Sequence, residues 1–199
     1  MKLNFAERLL VNNFVRSAVQ RFYEGPLLRS LGGTTEGGNV LEIGCGQGTG
    51  MEMILQQFHA AHVTGLDLDP RQVELARRRL QGKYDGRFTL TQGDAERVPF
   101  ADSCFDAVFD FGALHHVPDW QAAIAEIRRV LKPGGTFFFE EVTRAALQRW
   151  SYRTFLEHPA VNRFSQSEFV AEIGNRGMQP ASTTRQVLFG DIFIGVARL

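Results

Sequence analysis

The sequence predicts an α/β fold built on a doubly wound, mostly parallel sheet. Three observations carry that prediction. From Asn39 onward, short runs rich in β-branched and aromatic residues alternate with longer stretches of helical composition. The first run, Val40-Leu41-Glu42-Ile43, opens into a loop with glycines at 44, 46, 48 and 50. Pro and Gly fall where the intervening helices should start and stop.

Taken in order, residues 3–31 read as helical, because Leu10, Phe14, Ala18 and Phe22 recur every four residues with Val11, Val15 and Val19 beside them. Pro26 is expected to break this arm in two. The stretch from Gly32 to Gly38 then ends it as a linker. This divides the chain into a helical arm with a Gly-rich linker, 1–38, and a ligand-binding domain, 39–199. Strands are expected over 39–44, 62–67, 87–92, 105–111 and 135–142, and helices over 48–59, 70–81, 119–131 and 143–157. Asp69 caps the second of these helices and Pro70 takes its first turn. Lys132-Pro133-Gly134-Gly135 stops the third and turns into a strand. Ser165 and Glu168 have capping-box spacing and open a short helix to about Asn175. Two β-rich runs, 181–189 and 191–198, follow, with Gly190-Asp191 as their hairpin turn.

A chain of 199 residues suits one hydrophobic core. Its net charge of zero gives no electrostatic ground for a nucleic-acid partner, and Arg77-Arg78-Arg79 reads as a solvated helix face. Cys45 and Cys104 are far apart and in no CxxC pair, which suits a reducing, cytoplasmic setting. No run has the length of a membrane span, and Glu7 and Arg8 come too early for a secretory signal, so no integral membrane association is expected.

The glycine loop lets a ligand touch the main chain. Its register excludes two nucleotide motifs. Counting from Gly44 or Gly46, the sixth position is Thr49 or Met51, so the dinucleotide fingerprint fails. No Gly-Lys-Ser/Thr follows, so the phosphate loop fails too. Asp67 ends the second strand, where a carboxylate can accept both ribose hydroxyls; the competing helix-cap role belongs to Asp69. Asp94 and Ala95 end the third strand, where a short polar side chain and a backbone N–H can read an adenine edge, or simply make a turn. Phe111 lies at the mouth of the fourth strand, facing either a ligand or the core. His115 and His116 follow. Their neighbouring side chains diverge and no further His or Cys lies near, so a metal site is not expected. A general base or an acceptor contact is the functional alternative to a structural role.

The segments VLEIGCGQG, GLDLDP, QGDAERVPF, FDAVFDFGALHHV and LKPGG occur in this order. Together they resemble the class I S-adenosylmethionine-dependent methyltransferases. The particular likeness is to the group related to the ubiquinone- and menaquinone-pathway C-methyltransferases (type 11 methyltransferase domain). The resemblance covers 39–142 and extends loosely through FSQSEFVAEIGNRGM. It implies a Rossmann-like, seven-stranded sheet whose last hairpin inserts one antiparallel strand. It also implies S-adenosylmethionine as cofactor. Gly44 and Gly46 would approach its methionine part, Glu42 would support the loop, Asp67 would hold the ribose with Leu68 beside the adenine, Asp94 and Ala95 would read the adenine, and Phe111 would line the path to the methyl group.

The family often carries a long insertion after the fifth strand, but here Val142 to Phe164 is short. Its Trp150, Tyr152, Phe155 and His158, the His115-His116 loop and the arm are left to shape the acceptor pocket. The arm either packs on the sheet's helices or covers the pocket, with Arg8, Arg16 or Arg21 meeting an anionic acceptor. The expected function is methyl transfer to a small, apolar or aromatic organic acceptor by in-line displacement. A non-catalytic cofactor-binding module, or an enzyme transferring another group from a related adenosyl cofactor, is the alternative. The acceptor, the atom methylated and the oligomeric state stay open.

Overall fold

The computed structural model describes residues 14–148, 162–181, 184–187 and 190–199. Strands β1 (Asn39–Ile43), β2 (His62–Asp67), β3 (Phe88–Gln92), β4 (Phe105–Phe111) and β5 (Leu131–Val142) run parallel. They are joined by helices α3 (Thr49–Gln57), α4 (Pro70–Leu80) and α5 (Trp120–Val130). The arm precedes them as α1 (Phe14–Val19) and α2 (Gly25–Gly32). After β5 come the short α6 (Arg144–Leu147), α7 (Gln166–Asn175), β6 (Gln179–Pro180), β7 (Arg185–Val187) and β8 (Ile192–Arg198). The sheet order is β3-β2-β1-β4-β5-β8-β6, with β7 also on β8.

Strand β8 is antiparallel to β5. Its other edge takes β6 at Ala197 and Arg198, and β7 at Ile192 to Ile194. Eight strands therefore fill seven positions, as the resemblance implies. The order reverses between β1 and β4, and an open parallel sheet binds ligands in the crevice outside the strand ends at such a switch point.

The core lies on both faces of the sheet. On one, Phe58, Phe109 and Phe138 pack with Leu28, Met53 and Ile54 from α2 and α3; the Phe109 and Phe138 rings stack at 4.3 Å. On the other, Trp120, Phe164, Phe169 and Phe193 pack edge-on and tilted beneath α5 and α7. The abundant phenylalanines are thus largely spent on stabilising contacts within the layers.

Two expectations need correction. Pro26 does not break the arm. A π-helical turn, Gln20–Glu24, precedes it, and the Gly25 N–H reaches back to the Gln20 carbonyl. The wider turn makes room for the proline ring, and the chain stays helical. The strand expected to begin at 135 begins at Leu131, because Lys132 to Gly135 bulge out between the Phe105–Leu131 and Ala107–Thr136 pairs. Of the helix expected over 143–157, α6 covers Arg144–Leu147; residues 149–161 lie outside the described residues, with Trp150, Tyr152, Phe155 and His158 among them. The caps expected at Asp69 and Ser165 are formed, the latter as a full capping box.

The arm packs on the α3 face. Leu28 is fully buried, and a Cβ on Gly32 would come within 2.4 Å of the Phe138 ring. Arg16 pairs with Glu24 of the arm and, at 3.0 Å, with Glu140 of β5; Ser17 meets Thr49 at the start of α3. The start of the arm thus meets the C-terminal edge of the sheet, and the arm then runs along α3, where Arg21 and Arg29 reach Gln56 and Gln57.

Candidate cofactor site

The C-terminal ends of β1 to β4 open on one cavity of about 330 Å³. Gly44 and Gly46 form one wall, Asp67 and Leu68 the next, Asp94 and Ala95 the far end, and Phe111 with the following turn the near end. Each is delivered by the same event, a parallel strand ending in a polar or glycine turn.

The first loop takes backbone that only glycine adopts without strain, with φ of 67° at Gly44 and 52° at Gly46. Gly44 also admits the next wall, since a Cβ there would sit 2.3 Å from the Ala113 Cβ. Gly44→Ala should therefore lower stability by about 2–4 kcal/mol, read as the urea midpoint, because positive-φ strain and a clash add. An unchanged midpoint would show that the loop can move aside.

Asp67 is tied into this loop. Its Oδ2 accepts the Gly46 N–H and its Oδ1 the Asp69 N–H, both at 2.9 Å. A carboxylate offers about four lone-pair sites, so both oxygens keep capacity for hydroxyl donors on the cavity side. Burial pushes the Asp67 carboxyl up, while the two N–H groups pull it back down. Asp69 accepts from the Arg71 N–H and caps α4, as expected. Asp94 accepts the Glu96 N–H at 3.0 Å, holding the turn that presents Ala95. Phe111 stacks on Phe109 at 5.7 Å and also lines the cavity.

Glu42 does not line the cavity. It lies beneath the loop, so close to Gly50 that a Cβ there would be 2.1 Å from its Oε1. Its Oε2 has no hydrogen-bond partner among the described residues, and burial, with Asp67 and Asp110 nearby, holds its carboxyl well above the usual range. Burial likewise raises the Cys45 thiol, which leaves it a packing group rather than a nucleophile. Both cysteines are free.

The two histidines divide. His116 lines the cavity. His115 packs on it at 4.2 Å and directs Nδ1 to Glu141 Oε2 at 2.7 Å. Glu141 is fully buried and also accepts the N–H groups of Leu114 and Val142, so it holds the whole turn Leu114–His116. Beside it, Asp110 accepts the Ala113 N–H through Oδ1, while its buried Oδ2 receives no donor among the described residues. A proton on Asp110, given to Glu141, satisfies that atom. Burial and the neighbouring Glu141 raise Asp110 well above the carboxylate range, and burial pushes Glu141 up to about 7.

Glu141, Asp110 and Gln72, a buried cavity residue of α4, escaped the sequence reading. Gln72 sits inside the helix that Asp69 and Pro70 announce, but nothing in its neighbours marks it. Glu141 meets His115 only through the pairing of β4 with β5 and the turn after β4. Among the described residues, no three His, Cys, Asp or Glu side chains are grouped to hold a metal, and no helix is long and apolar enough to cross a membrane.

Comparison with known proteins adds to this geometry. A family model described as a methyltransferase domain matches residues 41–139. The phthiotriol/phenolphthiotriol dimycocerosates methyltransferase 1 of Mycobacterium ulcerans is 35% identical over 154 residues, 76% of this chain and 54% of its own. The fatty-acid O-methyltransferase of Mycolicibacterium smegmatis is 39% identical over 106 residues, 53% of this chain and 38% of its own. The chain thus spans about half the length, or less, of these relatives. A methyltransferase structure from Aquifex aeolicus superposes with a TM-score of 0.77 at 17% identity, covering 99% of both chains. The [4+2]-cyclase SpnF superposes with a TM-score of 0.72 at 20% identity, covering 87% of this chain and 79% of its own, so the fold by itself admits other chemistry.

Proposed function

Residues 41–139 are a methyltransferase domain, and from that premise we propose that the chain binds S-adenosylmethionine in this cavity and passes its methyl group to a small apolar or aromatic organic acceptor. The observation that carries the reading is the meeting of four strand ends, Gly44 and Gly46, Asp67 and Leu68, Asp94 and Ala95, and Phe111, on one cavity. The residues fit such a ligand. Asp67, whose oxygens each accept one backbone N–H and keep lone-pair capacity on the cavity side, offers an acceptor for paired hydroxyls. We assign 39–199 to the cofactor-binding unit and 1–38 to an arm that borders it.

When bound, the cofactor supplies a sulfonium-activated methyl group, so the protein's task is alignment and exclusion of water. Asp67 holds the ribose, Leu68 packs beside the adenine, and Asp94 with the Ala95 N–H reads the adenine edge. Gly44 and Gly46 let the main chain approach the methionine part. Phe111 walls the path to the acceptor, and His116 contacts it. Glu141 orients His115 through Nδ1, and His115 packs on His116 at the cavity, so we assign the pair as base or contact for an acceptor that must lose a proton. For such an acceptor, His115→Ala should slow transfer by about 10²–10⁴-fold with cofactor affinity retained. An unchanged rate would assign the histidine to the turn alone.

The relatives' names, a dimycocerosate methyltransferase and a fatty-acid O-methyltransferase, support an apolar acceptor rather than a nucleic acid. The two free cysteines fit a cytoplasmic setting. Calorimetric titration with S-adenosylmethionine and S-adenosylhomocysteine tests the reading. Saturable one-site binding of both supports it, and no heat with either removes it. Binding without transfer to any lipid or aromatic acceptor would favour the non-catalytic module.

A further inference from the structure

The arm carries an exposed apolar stripe that the cavity does not use. Among the described residues only five large hydrophobic side chains are exposed, and three stand together here: Val19 at 41%, Phe22 at 75% and Tyr23 at 52%. Across the π turn Val19 and Tyr23 stand about one turn apart with Phe22 beside Tyr23, and the exposed Pro26 follows them. The opposite side is the one that packs, through Gln20, Glu24 and Leu28.

The charges of the arm are sorted to match. Glu24, the acid of the described arm helices, is buried against Arg16, so it contributes no exposed negative charge. Arg21 and Arg29 remain exposed and lean toward Gln56 and Gln57 at the end of α3, forming a positive rim on that side of the stripe. In a chain of zero net charge, this is a local excess beside an aromatic surface. Aromatic side chains with a basic border suit a lipid–water interface, where rings enter the headgroup region and cations meet anionic headgroups.

We propose that the arm docks on an anionic lipid bilayer through Val19, Phe22 and Tyr23, with Arg21 and Arg29 against the headgroups. The arm is fastened to the C-terminal edge of the sheet by Arg16–Glu140 and Ser17–Thr49, and Glu140 pairs with Phe111 of the cavity wall. The surface stands on the exposed residues and does not rest on the proposed methyl transfer.

The test is co-sedimentation of the full chain with phosphatidylcholine vesicles, with and without phosphatidylglycerol, at low and high salt. Binding to the anionic vesicles, reduced by salt and lowered about tenfold by Phe22→Ser/Tyr23→Ser, is the expected result. Both side chains are exposed, so circular dichroism and cofactor titration should be unchanged in the variant. That control separates a failure of the surface from a failure of the cofactor site. Protein left in the supernatant with both vesicles overturns the proposal, as does vesicle binding that the double variant leaves intact. A concentration-dependent dimer that the variant dissolves overturns it in favour of a second copy on the stripe.

Discussion

Asp67→Ala should weaken S-adenosylmethionine binding by about a hundredfold or more, measured by calorimetry on protein whose folding is checked in parallel. Two hydroxyl-to-carboxylate hydrogen bonds are at stake, and bonds to charged groups contribute about 1.5–3 kcal/mol each. The alanine variant loses more than ligand contacts. The Gly46 and Asp69 N–H groups also lose their acceptor, so the glycine loop and the start of α4 lose the tie between them. Asp67→Asn separates the two effects, because the amide keeps one acceptor oxygen and forfeits the charge. It should fall between the parent and the alanine variant. Equal affinities in all three proteins would remove Asp67 from the cofactor site.

The second large effect is on stability against pH, and it comes from Asp110 and Glu141. Both are buried carboxyls whose folded-state affinity for protons is raised, Glu141 to about 7 from an ordinary 4.5. A carboxyl raised by folding contributes fully below its unfolded pKa, and that contribution is lost as pH rises through the folded value. Stability should therefore decline from about pH 4.5 to above pH 7. Asp110→Asn keeps the oxygen that accepts from Ala113 and offers Glu141 a permanent N–H in place of the shared proton. The variant should match the parent near pH 5 and exceed it at pH 8 by about 1–3 kcal/mol in urea denaturation. Glu141→Ala should do the reverse at every pH. Stripping the acceptor from several buried N–H groups and from His115 costs about 3–5 kcal/mol. A pH-independent difference between Asp110→Asn and the parent would sink the shared proton.

What could be read from the sequence was what neighbouring residues decide together. Alternating β-rich and helical runs place β1 to β5 and their helices, because local propensity and burial agree there. Asp67 could be told from Asp69 because one residue ends a strand and the other precedes a proline, and the structure keeps them in those two positions. The gathering of Gly44, Asp67, Asp94 and Phe111 on one cavity follows from the common direction of parallel strands. Glu42 was visible as an acid in an apolar run, but its place under Gly50 depends on how α3 seats. The Arg16–Glu140 pair and the Glu141–His115 bond join residues far apart in the chain, so no local pattern announces them. Pro26 misled because a proline rule assumes regular α geometry, and the π turn before it relaxes the clash.

The place of β8 bears on how the molecule comes into being. This strand is the last in the sequence, yet it lies between β5 and the β6–β7 edge rather than outside them. Leu199 also exchanges backbone hydrogen bonds with Gly134 and Gly135, closing the bulge at the start of β5. During vectorial synthesis β5 thus waits with an open, phenylalanine-rich edge until β8 emerges. Throughout that interval the nascent chain presents the template that recruits a stranger's strand. Sheet closure of this kind makes the slow step of assembly a long-range insertion between strands already made.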